Sequence, residues 1–211
     1  MTSIQRWGWS VALLAAGMAA AGAHNLPVIE EFYFDEDMAA APVTVVEGSD
    51  DAAVAALMKQ RERGRKSVEA TSQLARIAMA AGRTELGLQL HQQALAATTP
   101  GSLLGRSVRW NYAWDLFHHG DVEGALEQWK TVQQGGRGKQ AWVPPTYALA
   151  LWTQGKQAEA VRWYAAAVRT EPQRWGSADA LPQLLPDWRS EDLAVLAQVQ
   201  AAWQAAPPAW P

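Results

Sequence analysis

A glycine that recurs at nearly constant spacing is the feature that most constrains how this chain can fold. Gly82, Gly120 and Gly155 are separated by 120 − 82 = 38 and 155 − 120 = 35 residues. A small residue lies seven positions before each glycine: Ala75, Ala113 and Ala148. Another lies five positions after it: Gly87, Ala125 and Ala160. A ring-bearing residue follows four positions later: His91, Trp129 and Tyr164. A period of roughly 34 residues is typical of stacked helix pairs, in which small residues let antiparallel helices approach closely. Because one pair cannot bury its apolar face alone, the pattern predicts a stack.

The third copy of this pattern resembles the tetratricopeptide repeat family. It runs Tyr147-Ala148, Leu151, Gly155, Ala160, Tyr164, Ala167 and Glu171-Pro172. The second copy follows the same order through Tyr112-Ala113, Gly120, Ala125, Trp129 and Val132, without the closing proline. In the first copy, Gly87 and His91 replace the usual alanine and aromatic residue. The resemblance covers about half of the chain and implies an α-solenoid that binds other proteins, without naming a partner.

We therefore expect an all-α protein: an α-solenoid of about three helix pairs with an extended N-terminal arm and a C-terminal capping helix. The expected segments are a signal peptide over 1–23, an acidic and aromatic arm over 24–50, a helix with a basic C-terminal end over 51–66, three repeats over 67–172, and a capping helix with a Pro/Trp tail over 173–211. The repeat helices are expected at 67–81, 84–97, 102–118, 121–134, 141–153 and 156–170, and the capping helix at about 191–204. Thr84, Ser102 and Asp121 are the expected N-caps.

The N-terminus has the pattern of an export signal. Arg6 precedes an apolar run of about 13 residues, Val11 to Ala23, which ends in an Ala-x-Ala motif. Such a run is too short to span a bilayer, and it predicts cleavage after Ala23 and a periplasmic or secreted protein with no stable membrane span after cleavage. The alternative is an uncleaved N-terminal anchor. Since the chain has no Cys, its stability must come from packing and not from disulfides.

Composition argues against several classes of function. The net charge is −3 and no extended basic stripe is present, so nucleic acid is not an expected partner. There is no Cys, and the four His show no Ser-His-Asp order or paired-carboxylate spacing typical of catalysis. We therefore predict a non-enzymatic protein with no cofactor, which binds another protein of the cell envelope or a peptide segment.

The segment before the first helix is both acidic and aromatic. It contains Glu30-Glu31-Phe32-Tyr33-Phe34-Asp35-Glu36-Asp37, and eight acids with no Lys or Arg lie between His24 and Met58. Such a segment is either an extended, partly disordered arm or an interaction segment. In the second case, its aromatic residues anchor on a partner or fold back on the solenoid.

The first helix of each repeat is expected to line the concave surface of the stack, where proteins of this family usually bind ligands. Trp is abundant in the chain, with 12 residues, and several of these lie in the stripe that would face this surface. The predicted binding residues are Arg76, Trp110, Asn111, Trp114, Phe117, His118, Trp142 and Trp152. Exposed Trp often anchors interfaces, so an extended apolar or aromatic peptide is the expected ligand. Alternatively, these Trp pack against the next repeat, the arm or the C-terminal Trp residues.

Two other classes of ligand stay open. Exposed Trp faces also stack on sugar rings, which suggests a module that binds peptidoglycan. Cleavage after Ala23 would make His24 the mature N-terminus, whose amino group and imidazole can together chelate copper.

Overall fold

The computed structural model describes residues 26–209. The expected signal peptide and His24 lie outside these residues. Within them the structure is all-helical, as predicted, and its helices are α1 Asp51–Arg63, α2 Ser67–Ala80, α3 Thr84–Ala96, α4 Leu103–His118, α5 Val122–Gly135, α6 Val143–Thr153, α7 Gln157–Thr170, α8 Pro172–Trp175, α9 Leu181–Leu184 and α10 Ser190–Ala205. A short 3₁₀ turn, Ala178–Ala180, precedes α9. The six repeat helices lie within two residues of their predicted bounds.

The repeat helices pack as three consecutive pairs. Helix α2 packs on α3, α4 on α5, and α6 on α7, while α2 also contacts α4. Helix α1 packs on α2 at one end of the stack, and α10 covers α6 and α7 at the other. This α-solenoid-like arrangement confirms the predicted fold class, including the terminal helix that closes the stack.

The three repeated glycines make the same turn. Gly82, Gly120 and Gly155 have φ of 73°, 92° and 75°, a left-handed conformation that L-residues avoid. In each turn the residue after the glycine donates its N–H to the carbonyl five positions earlier, as Asp121 does to Leu116 at 3.0 Å. This pattern ends the first helix of every pair and reverses the chain in the same way each time.

Small residues set the distance between paired helices. Ala75, Ala113 and Ala148 are completely buried. At Gly87, an added Cβ would lie 2.5 Å from Cγ of Met79, so α2 and α3 approach more closely than an alanine would allow. The ring-bearing residues His91, Trp129 and Tyr164 fill the remaining space with no exposed surface.

Two of the three predicted N-caps are confirmed, and the third is corrected. Ser102 accepts the N–H of Gly105, and Asp121 accepts that of Gly124. Thr84 is instead the first residue of α3 and makes no capping bond. Its hydroxyl lies 2.9 Å from Nε2 of His119, so a contact with the next repeat replaces the cap.

Replacing Gly120 by Val should lower the free energy of unfolding by about 1–2 kcal/mol, because a β-branched residue resists positive φ. Nothing lies within 4 Å of the added carbon, so the loss reports backbone strain and not a clash. Urea unfolding followed by circular dichroism measures it. Gly120→Asn is the control, since Asn tolerates this conformation better. Equal losses in both variants would contradict the assignment.

The structure also predicts a loss of stability in alkali. Burial raises the pKa of Tyr147 and of Tyr164 above the ordinary value of 10.0. The folded chain therefore holds these protons more tightly than the unfolded chain, and the stabilisation present below about pH 10 falls as pH rises. Between about pH 9 and pH 11 the free energy of unfolding should fall less in Tyr164→Phe than in the wild type. The two falls should differ by about 1.4 kcal/mol for each pH unit above the ordinary pKa of 10.0. An unchanged difference would show that Tyr164 does not contribute.

Candidate functional site

The N-terminal arm, residues 26–46, contains no helix, makes a turn at 37–40 and crosses all three helix pairs in the reverse of their order. Tyr33 contacts α7, the Asp35 backbone pairs with the loop before α6, and Asp37 contacts α4 and the start of α6. Further along, Val43 contacts α4, and Val46 contacts α2. We call the surface of α2, α4, α6 and α7 that holds the arm the arm groove. The arm folds back on the stack, but of its three aromatic residues only Tyr33 is buried there, whereas Phe32 and Phe34 stay exposed.

Side-chain amides hold the backbone of the arm. Asn111 donates to the carbonyl of Ala41 and accepts the N–H of Val43, both at 3.0 Å. Gln73 accepts the N–H groups of Val45 and Val46 and donates to the carbonyl of Val46. Both amides are buried, so these bonds satisfy polar groups that would otherwise be costly. Because the bonds go to backbone atoms, they recognise an extended chain and not a particular sequence.

These two amides occupy equivalent positions. Gln73 and Asn111 each stand two residues before the buried alanine of their repeat, Ala75 or Ala113. The third equivalent position is Thr146, whose buried hydroxyl has no hydrogen-bond partner among the described residues. The repeat therefore presents a polar side chain to the same side of the stack three times, and the arm contacts two of them.

Two arm side chains are specifically recognised. Tyr33 is 2% exposed, and its ring centroid lies 6.1 Å from that of Trp163. Its backbone N–H donates to Oγ1 of Thr170, and its hydroxyl accepts the N–H of Glu30. Burial raises the pKa of Tyr33 above its ordinary value. The buried ring thus fixes the start of the arm on α7.

The second recognised side chain is Asp37. Its carboxylate accepts a hydrogen bond from Nε1 of Trp142 at 3.0 Å and pairs with the guanidinium of Arg106. Both members of the ion pair are largely buried, with 12% of Arg106 and 6% of Asp37 exposed. Removing either partner would leave an unpaired buried charge, so this contact is a strong constraint on the position of the arm.

A cavity of about 520 Å³ opens beside the arm. Its walls are arm residues 35–42, the first helices α4 and α6, and the C-terminal segment 171–192. Five Trp line it: Trp110, Trp114, Trp142, Trp175 and Trp188. We call it the Trp cavity. Of the predicted binding residues, it brings together Arg76, Trp110, Asn111, Trp114, His118 and Trp142.

The indoles at this cavity largely cover one another. Trp114 makes edge contacts with Trp188 and Trp129, with ring centroids 4.9 and 5.1 Å apart. Trp110 and Phe117, expected in an exposed stripe, are buried because both pack on Trp129. Trp114 and Trp142 stay half-buried and keep part of their surface toward the cavity. The alternative that these rings pack on the arm and the C-terminal segment is therefore confirmed in part.

Two predicted residues, Phe117 and Trp152, lie apart from the Trp cavity. Trp152 packs beneath α10, where its Nε1 lies 3.3 Å from Oε1 of Gln198. Phe117 belongs to the hydrophobic core between α4 and α5. Phe117 is buried in this core, whereas Trp152 stays half-buried.

Two histidine–aspartate contacts tie the elements of the site together. Nε2 of His118 lies 2.8 Å from Oδ2 of Asp192, which joins the end of α4 to the first turn of α10. Nε2 of His91 lies 2.8 Å from Oδ2 of Asp115, fully inside the interface of the first two repeats. Both contacts join helices that belong to different parts of the stack.

Several residues of the site were missed by sequence reasoning. Gln73 could have been found, since it occupies the repeat position of Asn111. Arg106, Trp188 and Asp192 carry no local pattern, because their partners Asp37, Trp114 and His118 are far away in the chain. Their roles depend on how the two terminal segments return to the stack.

Neither a metal site nor a membrane span was found in the described part of the chain, and no similar protein was found. In residues 26–209, no group of three potential metal ligands is assembled, and no helix is both long and apolar enough to cross a membrane. No protein-family model matches the chain, and no curated protein or solved structure matches it either. The tetratricopeptide resemblance therefore stays an interpretation of the residue pattern.

Replacing Asn111 by Leu should loosen the arm, because Leu has a similar size and makes neither hydrogen bond. The protection of the Val43 amide against hydrogen exchange should fall by about tenfold or more. Gln128→Leu is the matched control, since that amide binds Arg109 and does not contact the arm. Unchanged protection in Asn111→Leu would mean that the arm is held by other contacts.

Proposed function

We propose that this protein is a non-enzymatic adaptor of the cell envelope that binds an extended segment of a partner protein. The segment would enter the Trp cavity, with Trp114 and Trp142 as apolar anchors and Arg76 and His118 as polar contacts, while Asn111 holds the arm beside it. Location in the periplasm follows from the predicted signal peptide and is part of this proposal.

The observation that carries the proposal is the way the stack holds its own arm. Residues 41–46 of the arm lie across α2 and α4 and are bound through their backbone by Asn111 and Gln73. Side-chain amides that recognise backbone are suited to segments of varied sequence, whereas side-chain pockets give specificity. A surface with this chemistry supports peptide binding.

The Trp cavity supports the same proposal. It is concave, it lies where three separate parts of the chain meet, and it combines indole rings with Arg and carboxylate side chains. Cavities of this kind are the usual places for ligand binding. Half-buried Trp is also the residue type that most often dominates binding energy.

Glycan binding is the second candidate, because the same indoles and carboxylates could contact sugar rings and hydroxyls. The two candidate functions predict different effects of peptidoglycan fragments on the protein. Peptidoglycan fragments should quench the fluorescence of cavity Trp residues if the ligand is a glycan, and they should have no effect if it is a peptide.

The proposal predicts that Trp114→Leu loses its partners. Tagged wild-type and variant protein would be incubated with cell-envelope extract, and bound proteins quantified by mass spectrometry. Specific partners should fall by roughly thirtyfold in Trp114→Leu, which corresponds to the 2 kcal/mol that defines an interface hot spot. Leu86→Ala is the control, since this exposed side chain lies on α3, away from the cavity. Full retention of every partner by a folded Trp114→Leu variant would refute the site.

A further inference from the structure

The contacts that hold the arm run almost entirely between the arm and the helix stack. Asp37 binds Arg106, Tyr33 binds Thr170, and Glu30 forms an ion pair with Lys139 at 2.7 Å. Within the arm, the hydrogen bonds are confined to the Glu30–Tyr33 contact and the turn at Asp37. Every arm-to-stack contact would be equally good if the arm came from another molecule.

The connection between the arm and α1 is short and exposed. The last arm contact is made by Val46, and α1 is capped by Asp50, which leaves Glu47, Gly48 and Ser49 as a hinge. All three are exposed. Gly48 has φ +85°, and nothing lies within 4 Å of where its Cβ would be. The hinge can therefore change conformation without breaking any side-chain packing.

We propose that the arm is exchanged between two copies of this chain, so that the arm groove of one copy binds residues 26–46 of the other. Exchange of an identical element keeps its contacts and changes only the hinge, which makes it a low-cost route to a dimer. The proposal does not depend on the adaptor function and goes beyond it, because it assigns a specific partner to the arm groove.

The hinge length determines how the two copies would meet. From Val46 to Asp50 a fully extended chain spans about 14 Å, which places the α1–α2 ends of the two stacks side by side. A two-fold arrangement would make the exchange reciprocal, with each copy giving one arm and receiving one. Each Trp cavity would then have one wall, residues 35–42, supplied by the partner copy.

Concentration decides between the closed and exchanged forms. A tethered arm has an effective concentration in the millimolar range for its own groove, so the closed monomer dominates in dilute solution. Exchange should increase as the chain concentration approaches that range. A confined compartment or a scaffold that holds copies together would have the same effect.

The native ion pair between Glu30 and Lys139 provides a direct test without mutation. A carbodiimide activates the Glu30 carboxylate, the Lys139 amine attacks it, and an amide bond joins arm and stack. Unlabelled and ¹⁵N-labelled chains would be mixed in equal amounts, concentrated, coupled, digested and analysed by mass spectrometry. Pairs in which one peptide is labelled and the other is not arise only between copies, and they would reach roughly half of all pairs at complete exchange.

The pair Lys130–Glu127 is the internal control, since both residues lie on one turn of α5 with their charged atoms 2.6 Å apart. Mixed isotopes there would report random collision between molecules. Exchange is supported when mixed Glu30–Lys139 pairs exceed this background and rise with concentration. It is refuted when they equal the background at about millimolar chain concentration, which would show that each arm stays on its own stack.

The substitution Gly48→Val provides a second, independent test of arm exchange. The left-handed conformation of the closed hinge disfavours Val, whereas an open hinge does not need positive φ; because a reciprocal dimer relieves this strain at two hinges, the exchanged fraction in dilute solution should rise by at least about fivefold. Gly101→Val is the matched control, because Gly101 also has positive φ and open surroundings but lies between α3 and α4. A dimer fraction that does not change in Gly48→Val, measured by light scattering, would contradict the hinge assignment.

Discussion

Close packing of small residues between paired helices is the constraint on which the rest of this structure depends. Completely buried alanines and the missing side chain of Gly87 bring the helices of each pair together. This fixes the rotation of α2 and α4 about their axes, and so it places Gln73 and Asn111 on the same side of the stack. The polar contacts that hold the arm are thus a consequence of packing inside each repeat. A helix rotated by one residue, about 100°, would point both amides elsewhere.

The candidate site forms where the arm and the C-terminal segment 171–192 pack on the three helix pairs. The arm contributes Asp37 and the C-terminal segment contributes Trp188 and Asp192, and all three residues contact α4. Each contact pairs a group from a terminal segment with one from α4. The repeats fix the positions of the helix side chains at the Trp cavity, while the terminal segments form most of its remaining walls. The lining of the Trp cavity thus comes from the terminal segments as well as from the repeats.

Local patterns in the sequence were enough to predict α1 to α7 and α10, but not the short helices α8 and α9. Gly82, Gly120 and Gly155 mark turns because only nearby atoms decide whether a left-handed residue is needed, and Asp121 caps a helix for the same reason. The path of the arm could not be predicted, because the contact between Tyr33 and Thr170 joins residues 137 positions apart. The cavity was predicted only in part. Trp114 and Trp142 were recognised by their repeat position, but the burial of Trp110 and Phe117 depends on how rings from several helices share one space.

The path of the arm also has a consequence for the order in which this protein can fold. The arm is made early on the ribosome, yet its first anchor, Tyr33, rests on the last helix pair, α6 and α7. Before that pair emerges, residues 41–46 can already bind Gln73 on α2 and Asn111 on α4, but the ring of Tyr33 has no surface on which to pack. Closure of the long loop between Tyr33 and Thr170 is thus a late event. A molecule truncated before α7 would keep its acidic arm but lose the surface that holds the beginning of that arm.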